Sequence, residues 1–404
     1  MRNVIAKVII SFVFSYACIT ACQPYDQVET IDPKFFIEVT NQVDLTFQEM
    51  LQAFGKELEE IEMSEEIVTL AEKLFGDHVV TAYVINYNTI DPLGNRAVAS
   101  GTIYYPKNFK IKGVVEVAPI AYLQKTSGAS DRIPATEALQ SMMGYLTIIP
   151  DFLGYGVSKD THYCTFLNVD NVGIVGYHMR EASREFLRTL GYKLPEHTLL
   201  AGYSLGGSSA MAMLRYYELH GERVTVEKAS LGCGCYDPRT AFDVYARTGY
   251  CAYTVIPTVI YAMDKYEHLN LDYTKVFTGD LLKYYPQWLD RSPEHGAGTL
   301  NENLTSDIRT YLHPDFFTEE KNAEFHKIYK VLKQYSHVDG WTPKTPVYIY
   351  HAQDDEIVPF ECAEYAYAEF KKRNAPVSFY SGNGGHVGYA SKMFIAMYLY
   401  LIAK

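Results

Sequence analysis

Residues 198–207, TLLAGYSLGG, constrain the fold of this 404-residue chain more than any other stretch. An apolar run leads into Ser204, which has Gly202 and Gly206 two positions before and after it, and a helical pattern follows. Glycines at these positions allow a strand to turn sharply into a helix, with the serine hydroxyl at the tip of the turn. The N–H of Leu205 is then expected at the helix N-terminus beside that hydroxyl, where negative charge is stabilised. The alternative is a glycine–serine turn that only caps a helix.

Apolar periodicity on both sides of this turn alternates between strands and helices. Strand patterns lie at 78–90, 96–105, 112–120, 145–149, 198–203, 224–231, 346–351 and 377–380, and the first two predict an antiparallel hairpin. Helical patterns lie at 135–143, 169–190, 205–219, 360–372 and 389–402. This alternation predicts an α/β fold with a mostly parallel central sheet and helices on both faces. We assign residues 78–234 and 343–404 to this sheet domain.

The alternation of strands and helices stops between residues 235 and 342. This segment combines helical periodicity with many tyrosines and several prolines, so we predict a helical cap inserted into the sheet domain. Residues 251–263 are too apolar for a helix in water, and one face of this stretch is expected to pack on the sheet domain. The other face either lines an acyl pocket or belongs only to the core of the cap.

The first 21 residues have the features of a leader rather than of a folded element. Arg2 and Lys7 precede a short apolar run, which ends in small residues directly before Cys22. This pattern resembles the signal peptide of bacterial lipoproteins, which implies export and a lipid anchor on Cys22. The run is shorter than the roughly 20 apolar residues that span a bilayer, which disfavours a transmembrane helix. Gln23 does not resemble an inner-membrane retention signal, so in a bacterium with two membranes we expect the outer one.

Residues 22–77 are predicted to be a tether followed by a helical cover. The chain is polar up to about residue 35, and from residue 38 to 75 its apolar residues follow a helical period. One stripe of this period contains Val43, Phe47, Leu51 and Phe54.

The overall composition is that of a soluble globular protein, with 48% apolar and 21% charged residues. The net charge of −12 becomes −14 when Arg2 and Lys7 leave with the leader, and this acidity disfavours nucleic acids and anionic membrane surfaces as partners. Beyond Cys22 the cysteines are Cys164, Cys233, Cys235, Cys251 and Cys362. Their spacing matches neither a disulfide framework nor a zinc site, so we expect most of them to be buried free thiols.

A serine hydroxyl becomes an effective nucleophile when a base accepts its proton and an acid orients that base. The strand at 346–351 is followed by AQDDEIVP, and the Asp-x-x-Val-Pro spacing favours Asp355 as the acid and Asp354 as a turn residue. A helix cap is the alternative for one of these two aspartates. His386 lies in a glycine-rich loop directly after the last strand and completes the order serine, aspartate, histidine. Ser204, Asp355 and His386 are therefore the predicted catalytic residues.

Together these motifs resemble the α/β-hydrolase superfamily, and within it the secretory lipases and esterases. The resemblance extends over residues 78–404 and includes IPDFLGYG at 149–156, which is similar to that group's segment after strand four. It implies a carboxylic ester hydrolase that forms an acyl-enzyme on Ser204 and needs neither a cofactor nor a metal ion. Asp151 in this segment is expected to be a structural turn residue.

The loop that supplies the oxyanion hole is where the chain departs from this group. The group commonly carries a His-Gly-Thr-like loop after strand three, whereas residues 121–126 here read AYLQKT. The loss of one oxyanion donor typically costs about 10² to 10³ in rate, so the loop is still expected to supply one. We place this second donor, beside Leu205, at a backbone N–H between Gln124 and Thr126.

Two other functions remain open from the sequence. A serine peptidase of the prolyl-oligopeptidase or aminopeptidase type uses the same fold. A non-catalytic lipoprotein that binds a ligand in a hydrolase-like pocket is the second, because a fold does not determine a function. The expected partner is a small-molecule ester with a lipid, a sugar or a phenolic group on its alcohol side, and the sequence indicates no oligomeric state.

Overall fold

A nine-stranded sheet is the centre of the structure, a computed structural model that describes residues 34–57, 65–221, 223–252, 254–293, 297–318 and 321–390. The strands are β1 Phe36–Thr46, β2 Val79–Ile90, β3 Arg96–Pro106, β4 Gly113–Ala118, β5 Tyr145–Pro150, β6 His197–Tyr203, β7 Thr225–Gly232, β8 Val347–Ala352 and β9 Val377–Gly382. Their order in the sheet is β1-β2-β3-β5-β4-β6-β7-β8-β9. The pairs β1–β2, β2–β3 and β3–β5 are antiparallel and the other pairs are parallel. The prediction of a mostly parallel sheet is confirmed.

Helices cover both faces of this sheet. The α-helices are α1 Phe47–Glu57, α2 Glu65–Phe75, α3 Val169–Thr189, α4 Leu205–His220, α5 Pro238–Thr248, α6 Ile256–Glu267, α7 Gly279–Trp288, α8 Ala297–Asn303, α9 Ala323–Gln334 and α10 Glu361–Lys372. Successive side chains of a strand point to opposite faces. Leu200 of β6 accordingly belongs to the same core as Leu214 of α4, whereas its neighbour Leu199 belongs to the core that contains Phe47 of α1.

The segment between β7 and β8 is helical in the residues that the structure describes. It contains α5 to α9, and its only β contacts there are isolated bridges, Tyr250 with Asp307 and Phe277 with Leu312. Its buried side chains form a third core, which includes Phe166 and Leu167 from the sheet domain. This segment therefore packs over the loops at the carboxyl ends of the parallel strands.

The N-terminal part of the fold differs from the prediction. Residues 36–46 form β1, an edge strand paired with β2, whereas the sequence pattern predicted a helix from residue 38. Helical structure begins only at Phe47. The apolar residues at 37, 39, 43 and 45 follow the period of a strand, but Val43 and Phe47 also fit a helical spacing. Most side chains of β1 are exposed, so the strand does not need a regular alternation of apolar and polar residues. The sequence pattern is therefore too weak to distinguish a strand from a helix.

The leader at 1–21, Cys22 and most of the predicted helix at 389–402 lie outside the described residues. Residues 385–390 are helical, so this helix begins four residues earlier than the sequence pattern indicated. Among the helices that the structure describes, none combines the length and the apolar character needed to cross a bilayer.

A buried ion pair joins α3 to the centre of the sheet. Arg180 of α3 donates a hydrogen bond through Nη1 to Oε1 of Glu116 in β4, and the two side chains are 0% and 1% exposed. Tyr217 of α4 donates its hydroxyl to the other carboxylate oxygen of Glu116. Arg180 also donates to the carbonyl groups of Pro195 and Glu196. The network ties α3 and α4 to the strand beside β6.

Candidate active site

Ser204 forms the turn between β6 and α4 with φ 56° and ψ −125°, a conformation that residues other than glycine rarely adopt. A Cβ atom at Gly202 would lie 2.0 Å from the carbonyl oxygen of Gly206. A Cβ atom at Gly206 would lie 2.2 Å from the carbonyl oxygen of Ala118. These contacts are with backbone atoms that cannot swing aside. The glycine spacing in the sequence is therefore a steric requirement of this turn.

The three predicted catalytic side chains form a continuous series of hydrogen bonds. Nε2 of His386 lies 2.9 Å from Oγ of Ser204, and Nδ1 of His386 lies 2.7 Å from Oδ2 of Asp355. An ionised carboxylate only accepts hydrogen bonds, so Nδ1 carries the proton and Nε2 can accept the proton of the serine. The residues follow the carboxyl ends of β6, β8 and β9, so the parallel strands bring them together.

Asp355 is buried in an environment that favours its charged form. Its Oδ1 accepts the N–H groups of Ile357 and Val358 at 3.0 and 2.8 Å, and Nε2 of His351 lies 3.3 Å from its Oδ2. Burial alone would raise the pKa of Asp355. The hydrogen bonds and charges of His351 and His386 outweigh burial and hold that pKa well below its usual range. Asp355 therefore remains an anion that can stabilise a protonated His386.

The backbone that carries His386 is held from several directions. Asp354 accepts the N–H groups of residues 384 and 385 at 2.8 and 3.0 Å, and Glu356 accepts the N–H of His386 at 2.9 Å. Tyr203 donates its hydroxyl to the carbonyl oxygen of His386 at 2.6 Å. The sequence analysis identified neither Glu356 nor the Tyr203 hydroxyl in this role. The feature of the sequence that could have indicated them is their position, since each residue is next in sequence to a predicted catalytic residue.

Leu205 lies where the first oxyanion donor was expected. It is the first residue of α4, and the N–H groups at a helix N-terminus have no acceptor within the helix. Leu205 also lines the cavity to which Ser204 and His386 contribute.

The residues predicted to carry the second oxyanion donor, 124–126, lie away from the cavity wall. Gln124 and Thr126 do not line the cavity; the loop after β4 reaches it with residues 120–122 instead. The N–H of Lys125 donates to the carbonyl oxygen of Arg291 in the cap at 2.9 Å. The loop thus turns toward the cap after residue 122, so residues 120–122 are the part of the loop that reaches the cavity beside Ser204.

Ala121 provides an N–H group in the part of the loop that does reach the cavity. The preceding residue, Ile120, donates its N–H to Oε1 of the buried Glu137 at 3.4 Å. The N–H of Ala121 has no acceptor in the part of the chain that the structure describes. Ala121 is therefore the candidate for the second donor.

A cavity of about 440 Å³ adjoins Ser204 and His386. Its wall is almost entirely apolar, and the cap contributes Ala241, Phe242, Tyr245, Val255, Ile256 and Val259. Of the two alternatives for the apolar cap stretch, the structure favours the one in which it lines a pocket, since Val255 and Val259 face this space. A cavity of this size and polarity suits a small apolar ligand group.

The other reactive side chains near the site have structural surroundings. The five described cysteines are free thiols, and all except Cys235 are buried. Cys233, His351 and Asp355 bring donor atoms within 4.8 Å of one another, the spacing of a possible metal site. In this structure Asp355 is bound to His386, and Nε2 of His351 lies 2.9 Å from the carbonyl oxygen of Val358. Cys233 and His351 therefore act here as polar neighbours that support Asp355.

Asp151 occupies a buried turn after β5 and does not line the cavity. It accepts the N–H of Ser130 at 2.9 Å and the hydroxyl groups of Ser100 and Ser130. Burial raises the pKa of Asp151, and these hydrogen bonds oppose that shift. The contacts fit the structural role expected from the sequence.

Several solved structures share this fold, whereas no family model and no curated protein matches the chain. A candidate hydrolase of Legionella pneumophila has a TM-score of 0.74 and 19% identity, over 89% of this chain and 96% of that one. The ligand-bound rice cell wall degrading esterase LipA of Xanthomonas oryzae has a TM-score of 0.70 and 20% identity, over 88% and 94%. Lipase A of Candida antarctica in its closed state has a TM-score of 0.58 and 16% identity, over 87% and 78%. The chain therefore has the α/β-hydrolase fold that its sequence predicted.

Proposed function

We propose that this chain, with its α/β-hydrolase fold, is a serine carboxylic ester hydrolase of the lipase and esterase type. The observation that carries the proposal is the hydrogen-bonded series Ser204, His386 and Asp355 at the wall of an apolar cavity. Such a series activates a serine hydroxyl for attack on a carbonyl carbon. The solved structures that share the fold include an esterase and a lipase, which supports the same assignment.

The proposed reaction has two halves joined by an acyl-enzyme. Ser204 attacks the ester carbonyl while His386 accepts its proton, and Asp355 stabilises the charged imidazole. The N–H groups of Leu205 and Ala121 stabilise the negative charge on the carbonyl oxygen, and one such donor typically contributes about 10² to 10³ in rate. His386 then protonates the leaving alcohol. A water molecule activated by the same histidine releases the carboxylic acid and restores Ser204.

The acyl side of the substrate is proposed to be apolar and longer than acetyl. The cavity of about 440 Å³ lies within the range of small-molecule sites. Each methylene group that enters it contributes about 0.8 kcal/mol through the hydrophobic effect. Cap residues such as Val255 and Val259 line this cavity, so the cap takes part in selecting the acyl group.

Labelling by a fluorophosphonate probe tests the proposed chemistry directly, because the probe reacts with activated serines. We expect labelling of the wild type, none of Ser204→Ala, and retained labelling of Ser209→Ala, which lies further along α4. Ser204→Ala and His386→Ala should reduce the turnover of nitrophenyl esters by about 10⁴ to 10⁶. A wild type that is not labelled would support the non-catalytic binding protein instead. Faster cleavage of aminoacyl anilides than of esters would support the peptidase.

We also propose that the chain is exported and anchored to a membrane by lipid on Cys22, on the basis of its first 22 residues. Each buried methylene of an acyl chain contributes about 0.8 kcal/mol, and two or more chains give stable anchoring. Cys22→Ala should therefore move the protein from the detergent phase to the aqueous phase on partitioning. Cys18→Ala, within the leader, is the matched control and should stay in the detergent phase. Unchanged partitioning of Cys22→Ala would contradict the anchor.

A further inference from the structure

Arg291 connects the cap to the loop that follows β4. Its side chain is buried, at 3% exposure, and it lies in the cap shortly after α7. Nε donates to the carbonyl oxygen of Leu123 at 3.0 Å, and Nη1 donates to the carbonyl oxygen of Gly154 at 3.0 Å. The carbonyl oxygen of Arg291 accepts the N–H of Lys125 at 2.9 Å. One cap residue thus fixes two positions of the loop and the turn after β5.

Arg291 also supports the loop through an aromatic ring. Its guanidinium group lies 4.3 Å from the ring centre of Tyr155, a cation–π distance. The hydroxyl of Tyr155 donates to the carbonyl oxygen of Tyr122, which lines the cavity. The side chain of Arg291 therefore acts on the loop at residue 123 directly and at residue 122 through Tyr155. Ala121, the candidate oxyanion donor, immediately precedes these anchored residues.

The buried charge of Arg291 is not neutralised by a carboxylate of any residue that the structure describes. Among the described residues Arg291 forms no ion pair, and its Nη2 has no hydrogen-bond partner. A buried charge without an ionic partner lowers stability unless other contacts compensate for it. The compensation here comes from two backbone carbonyl groups and from the rings of Tyr155, Tyr163 and Phe166. An apolar side chain would fill such a site without this cost, so packing alone does not account for an arginine.

We propose that Arg291 is a positioning residue that holds the loop at residues 121–125 so that the N–H of Ala121 points at the oxyanion. This inference rests on the proposed ester hydrolase function. Arg291 does not line the cavity and acts only through the loop. Its loss should therefore weaken transition-state stabilisation more than it weakens substrate binding.

Kinetics of Arg291→Lys measured per active site provide the test. Lysine keeps the charge, but it lacks the planar fork that reaches both carbonyl groups and stacks on Tyr155. Fluorophosphonate titration counts the active sites, so that misfolded protein does not enter the rate. We expect kcat for a nitrophenyl ester to fall about 10- to 100-fold, a part of what one oxyanion donor contributes, with KM changed by less than about 3-fold. The inhibition constant of a trifluoromethyl ketone, which forms a tetrahedral adduct, should rise by the same factor as kcat/KM falls.

Two further variants make this experiment decisive. Tyr155→Phe removes only the hydroxyl that holds Tyr122, and it should change kcat and the inhibition constant in the same direction, by about 3- to 10-fold. Arg309→Lys, at an exposed cap arginine whose side chain is 72% accessible, should match the wild type. If Arg291→Lys does not fold, Tyr155→Phe decides the question.

The outcomes separate this inference from the proposed function. Unchanged kcat and inhibition constant per titrated site, or an effect on KM alone, would overturn the role of Arg291 and leave the ester hydrolase intact. A wild type that shows neither labelling nor turnover dependent on Ser204 would overturn both.

Discussion

Asp354 and Asp355 are adjacent in sequence, but their carboxylates bind different parts of the site. Asp355 accepts a hydrogen bond from Nδ1 of His386, whereas Asp354 accepts the backbone N–H groups of residues 384 and 385. One aspartate therefore orients the imidazole ring, and the other holds the backbone just before it. The same substitution, aspartate to asparagine, is therefore expected to have different effects at these two adjacent positions.

Asp355→Asn should reduce kcat for ester hydrolysis by about 10⁴, because a neutral amide neither fixes the tautomer of His386 nor stabilises its charge. Asp354→Asn should reduce kcat by less than about 10-fold, since the amide oxygen still accepts backbone N–H groups. Steady-state kinetics of both variants, normalised by fluorophosphonate titration, measure the difference. A severe loss in Asp354→Asn beside a nearly normal Asp355→Asn would show that the acid was wrongly assigned.

Val259→Asn tests whether the cap selects the acyl group. Val259 is 4% exposed and lines the cavity, so a polar side chain there should weaken the binding of long acyl chains. We expect KM for an octanoyl ester to rise about 10-fold, the equivalent of one to two methylene contacts, with little change for an acetyl ester. Val244→Asn, the same substitution in α5 at a residue that does not line the cavity, is the matched control. Equal losses with both esters would indicate a folding defect rather than a pocket.

Arg180→Met should lower the free energy of unfolding by about 3 to 5 kcal/mol, because Glu116 is then left as a buried charge without its partner. Adding Glu116→Gln removes that charge and keeps an acceptor for the hydroxyl of Tyr217. The double variant should therefore be more stable than Arg180→Met alone. Denaturant unfolding of the wild type, both single variants and the double variant measures this coupling. Additive losses would show that the ion pair does not act as a unit.

The stability of the fold should decrease as the pH falls below about 6.5. Burial, assisted by the charge of Lys34, lowers the pKa of His178 from 6.5 to about 4. Between these two values the unfolded chain binds a proton that the folded chain does not, so acid favours unfolding. By this linkage His178 accounts for about 2 kcal/mol of stability lost between pH 7 and pH 5.

Denaturant unfolding of His178→Gln at both pH values measures this contribution. The variant should lose about 2 kcal/mol less than the wild type on acidification. His197→Gln, at a histidine whose side chain is 65% accessible, should retain the pH dependence of the wild type. An equal pH dependence in the wild type and His178→Gln would contradict the prediction.

The turn around Ser204 could be predicted because its constraints are local. Gly202 and Gly206 are required by contacts within a few residues of the serine and with the neighbouring strand end at Ala118. The same holds for the parallel strands, whose apolar runs are buried on both faces and stand out in the sequence. The edge strand β1 was missed for the opposite reason, since most of its side chains are exposed and its pattern is weak.

The candidate site also combines features that could be predicted from the sequence with features that could not. The sequence by itself determined the turn at Ser204, the order of Ser204, Asp355 and His386, and the helical nature of the cap. These features depend on steric limits and periodicity, which act over short stretches. Only the tertiary structure decided the path of the loop after β4, which brings Ala121 rather than residues 124–126 to the cavity wall. That path depends on the contact of Arg291 with Leu123, 168 residues apart. No local pattern encodes which side chain will meet a loop across such a distance, because packing of the whole chain sets it.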